Sequence, residues 1–385
     1  WRFIMSKINI RDLSNENDDG APDIVGISTL SSTAYFVPSK GSTAERPTDH
    51  VEEGSLRFNT DTQTLEYYRG ETLGWNSFLL IDPELGGGTS SSNLNALGGR
   101  GIWAGGSEPV KSAIDFVTIT SRGNSQDFGD LTANKFGGAG GASRTRGVFQ
   151  GGGTPTRLDN IDFITIASTG NAADFGDVAE GDRSQGAGIS NQIRALYCGG
   201  SSPAGVKNHI DFITIATTGS SEKGGDLVGN SETQLGVQSS TRGVVCGGSS
   251  NNTTMQFVAI MTEGDTQDFG DLIGSGATNL NGNGVSSNVR GIIAGGSGPI
   301  DTIQFITIAS TGNATDFGNL TSARHQCGGN DNSIRGLWGG GATPTVLNTI
   351  EEITITTTGD AVNFGDLIAA TRTHFAGVGN AHGGL

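Results

Sequence analysis

The sequence predicts an all-β chain: a six-bladed β-propeller preceded by a small β-meander. Three observations lead there. One phrase recurs six times, as "IDFVTITSRGNSQDFGDL", "IDFITIASTGNAADFGDV", "IDFITIATTGSSEKGGDL", "MQFVAIMTEGDTQDFGDL", "IQFITIASTGNATDFGNL" and "IEEITITTTGDAVNFGDL". A second phrase, Arg-Gly-apolar-apolar-small-Gly-Gly with Ala195 once in place of the first Gly, begins at residues 100, 146, 194, 242, 290 and 335. Its period of 45–48 residues, built from short strands, belongs to propeller blades and not to helical solenoids. The third observation is 64 glycines in 385 residues, about one in six against a usual ~7%. They recur at fixed points between short Ile/Val/Phe runs, which marks turns between strands.

Each unit reads as four strands. The Arg-Gly phrase is the first. Its two central positions, Ile102/Trp103, Val148/Phe149 and Leu196/Tyr197 among them, are both apolar, so both faces of that strand are expected to be buried. "IDFITI" is the second strand. It runs into "STGN" or "TTGN", a tight turn in which glycine supplies a positive φ. The third strand ends at "DFGDL". The fourth is the weakest, in stretches such as "GVQSSTRG" and "GVSSNVRG". The final stretch "TRTHFAGVGNAHGGL" resembles a fourth strand, and pairing it with "SNLNALGG" before Arg100 would close the ring and leave no open strand edge.

The first 82 residues do not repeat. Residues 1–40 are polar and mixed, with a late apolar "AYFVP". Residues 41–82 read as a meander with strands "SLRFN", "TLEYYRG" and "WNSFLLI" and "TDTQ" as the first turn. Residues 83–92, within "PELGGGTSSSN", read as a flexible linker, and 93–385 as the propeller. Met5, followed by "SKINIRD", reads as a candidate initiator. The start has no apolar segment before a cleavage site, so no secretory signal is expected. No run of ~18 apolar residues occurs, so no membrane span is expected. A formal charge of -16 repels phosphate backbones, which argues against nucleic acid as a partner.

The candidate chemistry is sparse. Cys198 and Cys246 share a column with Ala104, Gln150, Ala294 and Gly339, so cysteine serves there as a small hydrophobe. With Cys327 the only other one, no disulfide is needed, as in a reducing cytosol. The pairs Asp127/Asp130, Asp174/Asp177 and Asp268/Asp271 have a spacing that can hold calcium in loops. Lys223, Asn319 and Asn363 replace members of the set in other units, which favours a turn in which Asp or Asn caps backbone amides beside glycine. Arg100, Arg146, Arg194, Arg242, Arg290 and Arg335 recur in every unit. Each is expected to pair with an Asp of its own or the next unit, a ring gripping an anion being the alternative. Trp103, Phe149, Tyr197 and Trp338 share a column with Val245 and Ile293, which reads as core and not as a sugar platform. His50, His209, His325, His374 and His382 are scattered, and no HExxH, P-loop or Cys-His cluster occurs. No catalytic residue, metal or cofactor is therefore expected.

Binding chemistry is expected on loops. The connections between first and second strands differ sharply: "SEPVKSA", "TPTRLDN", "SSPAGVKNH", "SSNNTT", "SGPIDT" and "ATPTVLNT". The turns at the opposite end are nearly uniform. Lys111, Arg157, Lys207 and His209 are the candidate contacts on the variable end.

Two stretches carry a resemblance. The segment from "AERPTDHVEEGSLRFNTDTQTLEYY" to "GWNSF" looks like a module common in virion and tail-fibre proteins of tailed bacteriophages. The repeats, with "TRGV", "IDFITIATTG" and "DFGDL", resemble the kelch-like repeat proteins of marine phages, notably cyanophages. The resemblance implies a virion structural protein, tail-fibre-like, exposed on a particle assembled in the host cytoplasm. The N-terminal region would dock on other virion proteins. Many copies, as homo-oligomers, would display the propeller for attachment to a host surface glycan or receptor. Two other roles stay open: a purely architectural decoration of capsid, neck or tail, and a glycan-cleaving enzyme on the same scaffold.

Overall fold

The computed structural model describes residues 38–48, 51–62, 64–72, 74–77, 99–249, 253–274, 280, 282–368 and 372–385. Most of the expected docking segment, the whole linker and all but the last residue of "SNLNALGG" lie outside these. The chain divides into two compact units, Trp1–Leu80 and Ile81–Leu385. Among the described residues there is no α-helix, only strands and a 3-10 turn at Thr43–Glu45, and no helix is long and apolar enough to cross a membrane.

In the N-terminal unit, Leu56–Asn59, Thr64–Tyr68 and Trp75–Ser77 form an antiparallel meander, with Lys40–Gly41 added in parallel to the first of them. Its alternation is inverted. Arg57, Asn59 and Glu66 are buried while Leu56 is exposed. So small a sheet cannot build a large apolar core, and it buries a polar network instead. Arg46 pairs with Glu66, and Asn59 Nδ2 donates to Glu66 Oε1 at 2.8 Å.

The repeat unit is built from six four-stranded antiparallel arrangements. Arg146–Thr154, for example, is flanked by Ala139–Ala142 on one side and Thr156–Thr165 on the other, with Ala173–Asp177 outermost. The expected strand grouping is therefore shifted. The weak fourth strand belongs with the Arg-Gly strand that follows it, and the Arg-Gly strand is paired on both sides. The C-terminal Ala376–Gly379 pairs with Arg100–Ala104 directly. Units 3 and 4 are further joined into one nine-stranded sheet through Gly282–Asn283.

Both faces of each sheet are buried because each belongs to a different core. Ile102 faces the cluster that holds Phe149, Ile164 and Ile166 of the next unit. Trp103, its neighbour in sequence, lies instead with Leu337, Ile350 and Phe364 of the last unit. The same alternation runs through the Val148/Phe149, Leu196/Tyr197, Val244/Val245, Ile292/Ile293 and Leu337/Trp338 pairs. The Trp/Phe/Tyr column is thus core: Trp103 and Tyr197 are 0% exposed, and Trp103 Nε1 donates to Gly328 O at 2.9 Å.

The recurring phrase is an inter-unit clasp. Gly170 N donates to Phe128 O at 2.7 Å and Ala172 N to Asp130 O at 2.8 Å. Between them, Asn171 Oδ1 accepts Asp130 N at 3.1 Å. The same three bonds recur at every junction between consecutive units. They recur once more from last to first: Gly123 N to Phe364 O (3.0 Å), Ser125 N to Asp366 O (2.8 Å), and Asp366 N to Asn124 Oδ1 (3.0 Å). The turn reading of "DFGD" is corrected accordingly. These residues form the outermost strand, and the Asp does not cap: its own amide is capped by the "TGN" turn of the following unit.

The six arginines also join units, though not through Asp. Each guanidinium lies over a ring of its own unit, such as Arg194 over Phe212 at 4.0 Å and Arg146 over Phe163 at 4.5 Å. Five donate to the carbonyl that ends the second strand of the next unit: Arg100 to Ile166, Arg146 to Ile215, Arg242 to Ile308, Arg290 to Ile355 and Arg335 to Ile119, at 2.7–3.1 Å. Only where Glu352 replaces the phenylalanine does the arginine form an ion pair, Arg335 Nη1 lying 3.1 Å from Glu352 Oε2. With a ring or a carboxylate beside them and backbone carbonyls in front, they form no anion-gripping ring.

Four units bury a cation against a carboxylate of the second strand: Lys135–Asp162 (2.7 Å), Arg372–Asp115 (2.5 Å), Arg183–Asp211 and Arg324–Glu351. The other two carry Gln256 and Gln304 at that place, whose Oε1 atoms accept the Val228 and Ile273 amides.

Candidate functional site

Antiparallel pairing puts the connections between first and second strands at one end, together with those that follow the third strand. The two sets are tied by isolated bridges: Ser107 to Thr373, Phe136 to Gly153, Ser184 to Ser201 and His325 to Ala342. Two of the variable connections carry strand pairs of their own. Ser201–Ser202 with Gly205–Val206, and Ala342–Thr343 with Thr345–Val346, are small hairpins.

The four candidate contacts all lie at this end, half-buried and engaged. Arg157 Nη2 donates to Ser201 Oγ at 2.6 Å, bridging to the next unit's loop. His209 Nδ1 lies 3.0 Å from Asp226 Oδ1, and its Nε2 lies 3.6 Å from Glu180 Oε2. Burial opposes ionisation of Asp226, yet bonds from His209 and Lys223 hold its carboxyl below the usual range. Burial, and then the Arg372 charge, push the Lys111 ammonium down. Lys207 is fixed through its backbone, N to Gly200 O at 2.8 Å.

Sequence reasoning missed four residues that backbone bonds link from unit to unit at this end. Gln185, Thr233, Gln326 and His374 all have left-handed backbone, with φ of 64, 62, 57 and 54°. Such conformations cost a non-glycine residue roughly 1 kcal/mol or more, and they persist where the surroundings impose them. A chain of amides imposes them here. Gln185 N donates to Gly137 O and Thr233 N to Gln185 O, both at 2.6 Å; Gly137 N donates to His374 O, also at 2.6 Å, and His374 N to Gln326 O at 3.2 Å. Beside them, His374 Nδ1 lies 3.0 Å from Thr373 Oγ1 and 3.2 Å from Ser107 Oγ, and the Phe136 ring stands edge-on to the imidazole at 6.0 Å. The available signal was positional: "ARHQC" and "TRTHF" follow the third strand at the same place, which puts Gln326 and His374 in one column and His325 and Thr373 in the next.

Chemically this is a hydrogen-bonding surface of amides, hydroxyls and neutral imidazoles with one aromatic edge. Ser107 and His374 make a dyad contact, but no carboxylate among the described residues hydrogen-bonds the imidazole, so the third member of a nucleophilic triad is lacking. Among the described residues no group of three or more His, Cys, Asp or Glu is placed to hold a metal ion. The three cysteines are buried and free. Burial pushes the Cys198 and Cys327 thiols up to about 12 and about 11, which leaves them unreactive.

Burial, and then His325, push His374 down to about 4. An unfolded histidine titrates near 6.5, so the folded state binds fewer protons between these values. The contribution of His374 is complete above pH 6.5 and is lost as pH falls toward 4, by up to about 3 kcal/mol. His374→Asn, which tolerates the left-handed backbone, is expected to flatten the slope of unfolding free energy against pH in that window, as read by urea titrations at successive pH values.

With protein-family models no match to the chain is found, and with curated proteins none is found either.

Proposed function

We propose that residues 100–385 form a closed six-bladed β-propeller and that the protein is a non-catalytic phage virion component, tail-fibre-like, whose variable-loop end binds a host surface glycan or receptor. One contrast carries the reading. Six junctions, the last-to-first one included, are built from the same three clasp bonds. The opposite end carries six different loops around a line of left-handed, non-glycine residues. Uniform junctions serve closure, whereas strained backbone at a loop end is a common mark of ligand contact. The virion setting rests on the resemblance of "AERPTDHVEEGSLRFNTDTQTLEYY" and of the repeats to phage proteins, and avidity from many copies supplies what one shallow surface lacks.

The test uses the full-length chain clustered on beads. It is expected to bind intact host cyanobacterial cells and to reduce phage adsorption. Replacing residues 154–157 and 201–206 by Gly/Ser of equal length is expected to abolish both while the thermal midpoint stays within a few degrees. A folded, clustered chain that binds no cells overturns the attachment role and leaves virion architecture. Release of sugar products from host polysaccharide would overturn the non-catalytic reading.

A further inference from the structure

One junction between units departs from the other five. Third strands elsewhere carry a buried phenylalanine: Phe128, Phe175, Phe269, Phe317 and Phe364, each 2–3% exposed. The strand Glu222–Asp226 carries Gly224 at that place. In four units the third-strand ring stands edge-on to a second-strand phenylalanine, with centroids 5.9–6.2 Å apart. Phe212, beside Gly224, has no such ring to meet. A cleft opens there instead, walled by Leu196, Ile210, Phe212, Val258 and Ile260, each under 10% exposed. Thr262 at its rim is exposed, so the cleft is reached from solvent. As it stands it is about 10 Å3, room for a water-sized group. Its limit is a side chain and not backbone: a Cβ on Gly224 would sit 3.0 Å from Phe212 Cδ1, the edge of a ring that can turn.

The arginine of this junction is the exception too. The other five donate to a carbonyl of the next unit. Arg194 borders the cleft and lies over the Phe212 ring at 4.0 Å, and among the described residues its guanidinium donates no hydrogen bond. Glu222, across the strand pair from Phe212, is exposed and forms no ion pair with Arg194 among the described residues. A guanidinium presents five N–H donors in a planar fork that suits a carboxylate. The last unit shows that an arginine in this frame accepts one: where Glu352 stands in place of the second-strand ring, Arg335 Nη1 lies 3.1 Å from Glu352 Oε2.

We propose that this cleft binds a small aromatic carboxylate, its ring in the place that phenylalanine holds at the other five junctions and its carboxylate on Arg194. The ring would meet Phe212 edge-on, as the third-strand phenylalanines meet their partners, and would bury its sides against Leu196, Ile210, Val258 and Ile260. A neutral ring leaves the guanidinium without an acceptor. An aliphatic acid forgoes the edge-to-face contact. The site lies between the third and fourth units, on the side of the uniform turns, and does not rest on the attachment role proposed above.

The test is titration of the full-length chain with 3-phenylpropanoate, read by ligand-observed NMR and calorimetry. Saturable one-to-one binding is expected, with a dissociation constant of about 1 mM, the affinity that one buried ring and one charge-assisted bond supply. The neutral 3-phenylpropanol should bind about tenfold more weakly. Arg194→Met should weaken the carboxylate about tenfold and leave the alcohol unchanged, which a merely structural role for Arg194 would not do. Gly224→Phe puts the missing ring in place covalently. Gly224 is not among the residues of positive φ, so the variant is expected to fold, to unfold at a higher temperature and to lose binding of both ligands. No binding by the folded chain up to about 10 mM, or binding that Arg194→Met and Gly224→Phe leave unchanged, would overturn the proposal.

Discussion

Gly365→Ala is expected to destabilise the protein by about 3–5 kcal/mol, whereas Gly359→Ala, six residues away, should change stability by less than about 1 kcal/mol. A Cβ on Gly365 would sit 2.2 Å from Gly123 O and 2.5 Å from its carbon. Both are backbone atoms of the first unit's turn, held in the clasp by the bonds to Phe364 O and Asp366 O. Neither can yield without opening the junction between the last unit and the first. A Cβ on Gly359 would meet nothing within 4 Å. Gly176→Ala, whose Cβ would lie 2.5 Å from Gly219 O at an internal junction, supplies an upper bound, because Gly176 also holds a φ of 145° that strains any side chain. If the chain closes on itself in solution, Gly365→Ala costs several times as much as Gly359→Ala in urea unfolding, and no more than Gly176→Ala. If Gly365→Ala proves as mild as Gly359→Ala, the last-to-first junction does not hold.

That junction also marks where the sequence was legible and where it was not. The period, the strand character and the burial of both central residues of the Arg-Gly phrase follow from residue type alone, since Ile102 next to Trp103 admits no solvent face. The grouping of strands does not, because a repeated string has no unique beginning. Any four consecutive strands give the same period, and only the pairing of Ala376–Gly379 with Arg100–Ala104 fixes the phase. The partners of the six arginines were hidden for a related reason. A backbone carbonyl such as Ile166 O leaves no mark in sequence, so an arginine beside frequent aspartates invites the wrong pairing. The same holds for the cap at Asp130, where the informative residue is Asn171 of the next unit. At the loop end, Lys111, Arg157, Lys207 and His209 stood out by charge, while Gln185, Thr233 and Gln326 are set apart only by backbone conformation, which composition does not encode. In the N-terminal unit, burial of Glu66 in place of Leu56 runs against alternation and follows from the arginines that surround it.

Arg372→Met is expected to cost about 3–5 kcal/mol, because it leaves Asp115 buried without its cation. Arg372 is fully buried. It pairs with Asp115 Oδ2 at 2.5 Å, and its Nη1 donates to Gly105 O at 3.0 Å and to Ala113 O at 3.1 Å. Arg183 and Arg324 repeat this arrangement, donating to Gly199 and His209 and to Gly340 and Thr349. The chain itself shows the alternative. In the unit with Gln256, the position of the cation is held by Ser231, and Gln256 Oε1 is satisfied by Val228 N at 2.8 Å and Thr266 Oγ1 at 2.7 Å. Uncharged residues at the two places therefore fit the same frame, and the ion pair is not required for the fold. Asp115→Gln alone should cost about as much as Arg372→Met, since it strands the guanidinium. The double variant should recover most of the loss, with a coupling of about 2–4 kcal/mol in a double-mutant cycle read by urea unfolding. Additive losses would mean that the two residues contribute through separate packing, and the contrast between charged and neutral units would then need another cause. Strong coupling would mean that each unit tolerates either solution so long as both members change together. Residues 135, 183, 324 and 372 on one side, and 162, 211, 351 and 115 on the other, hold such matched pairs, while Ser231 and Gln256 stand uncharged at the same two places.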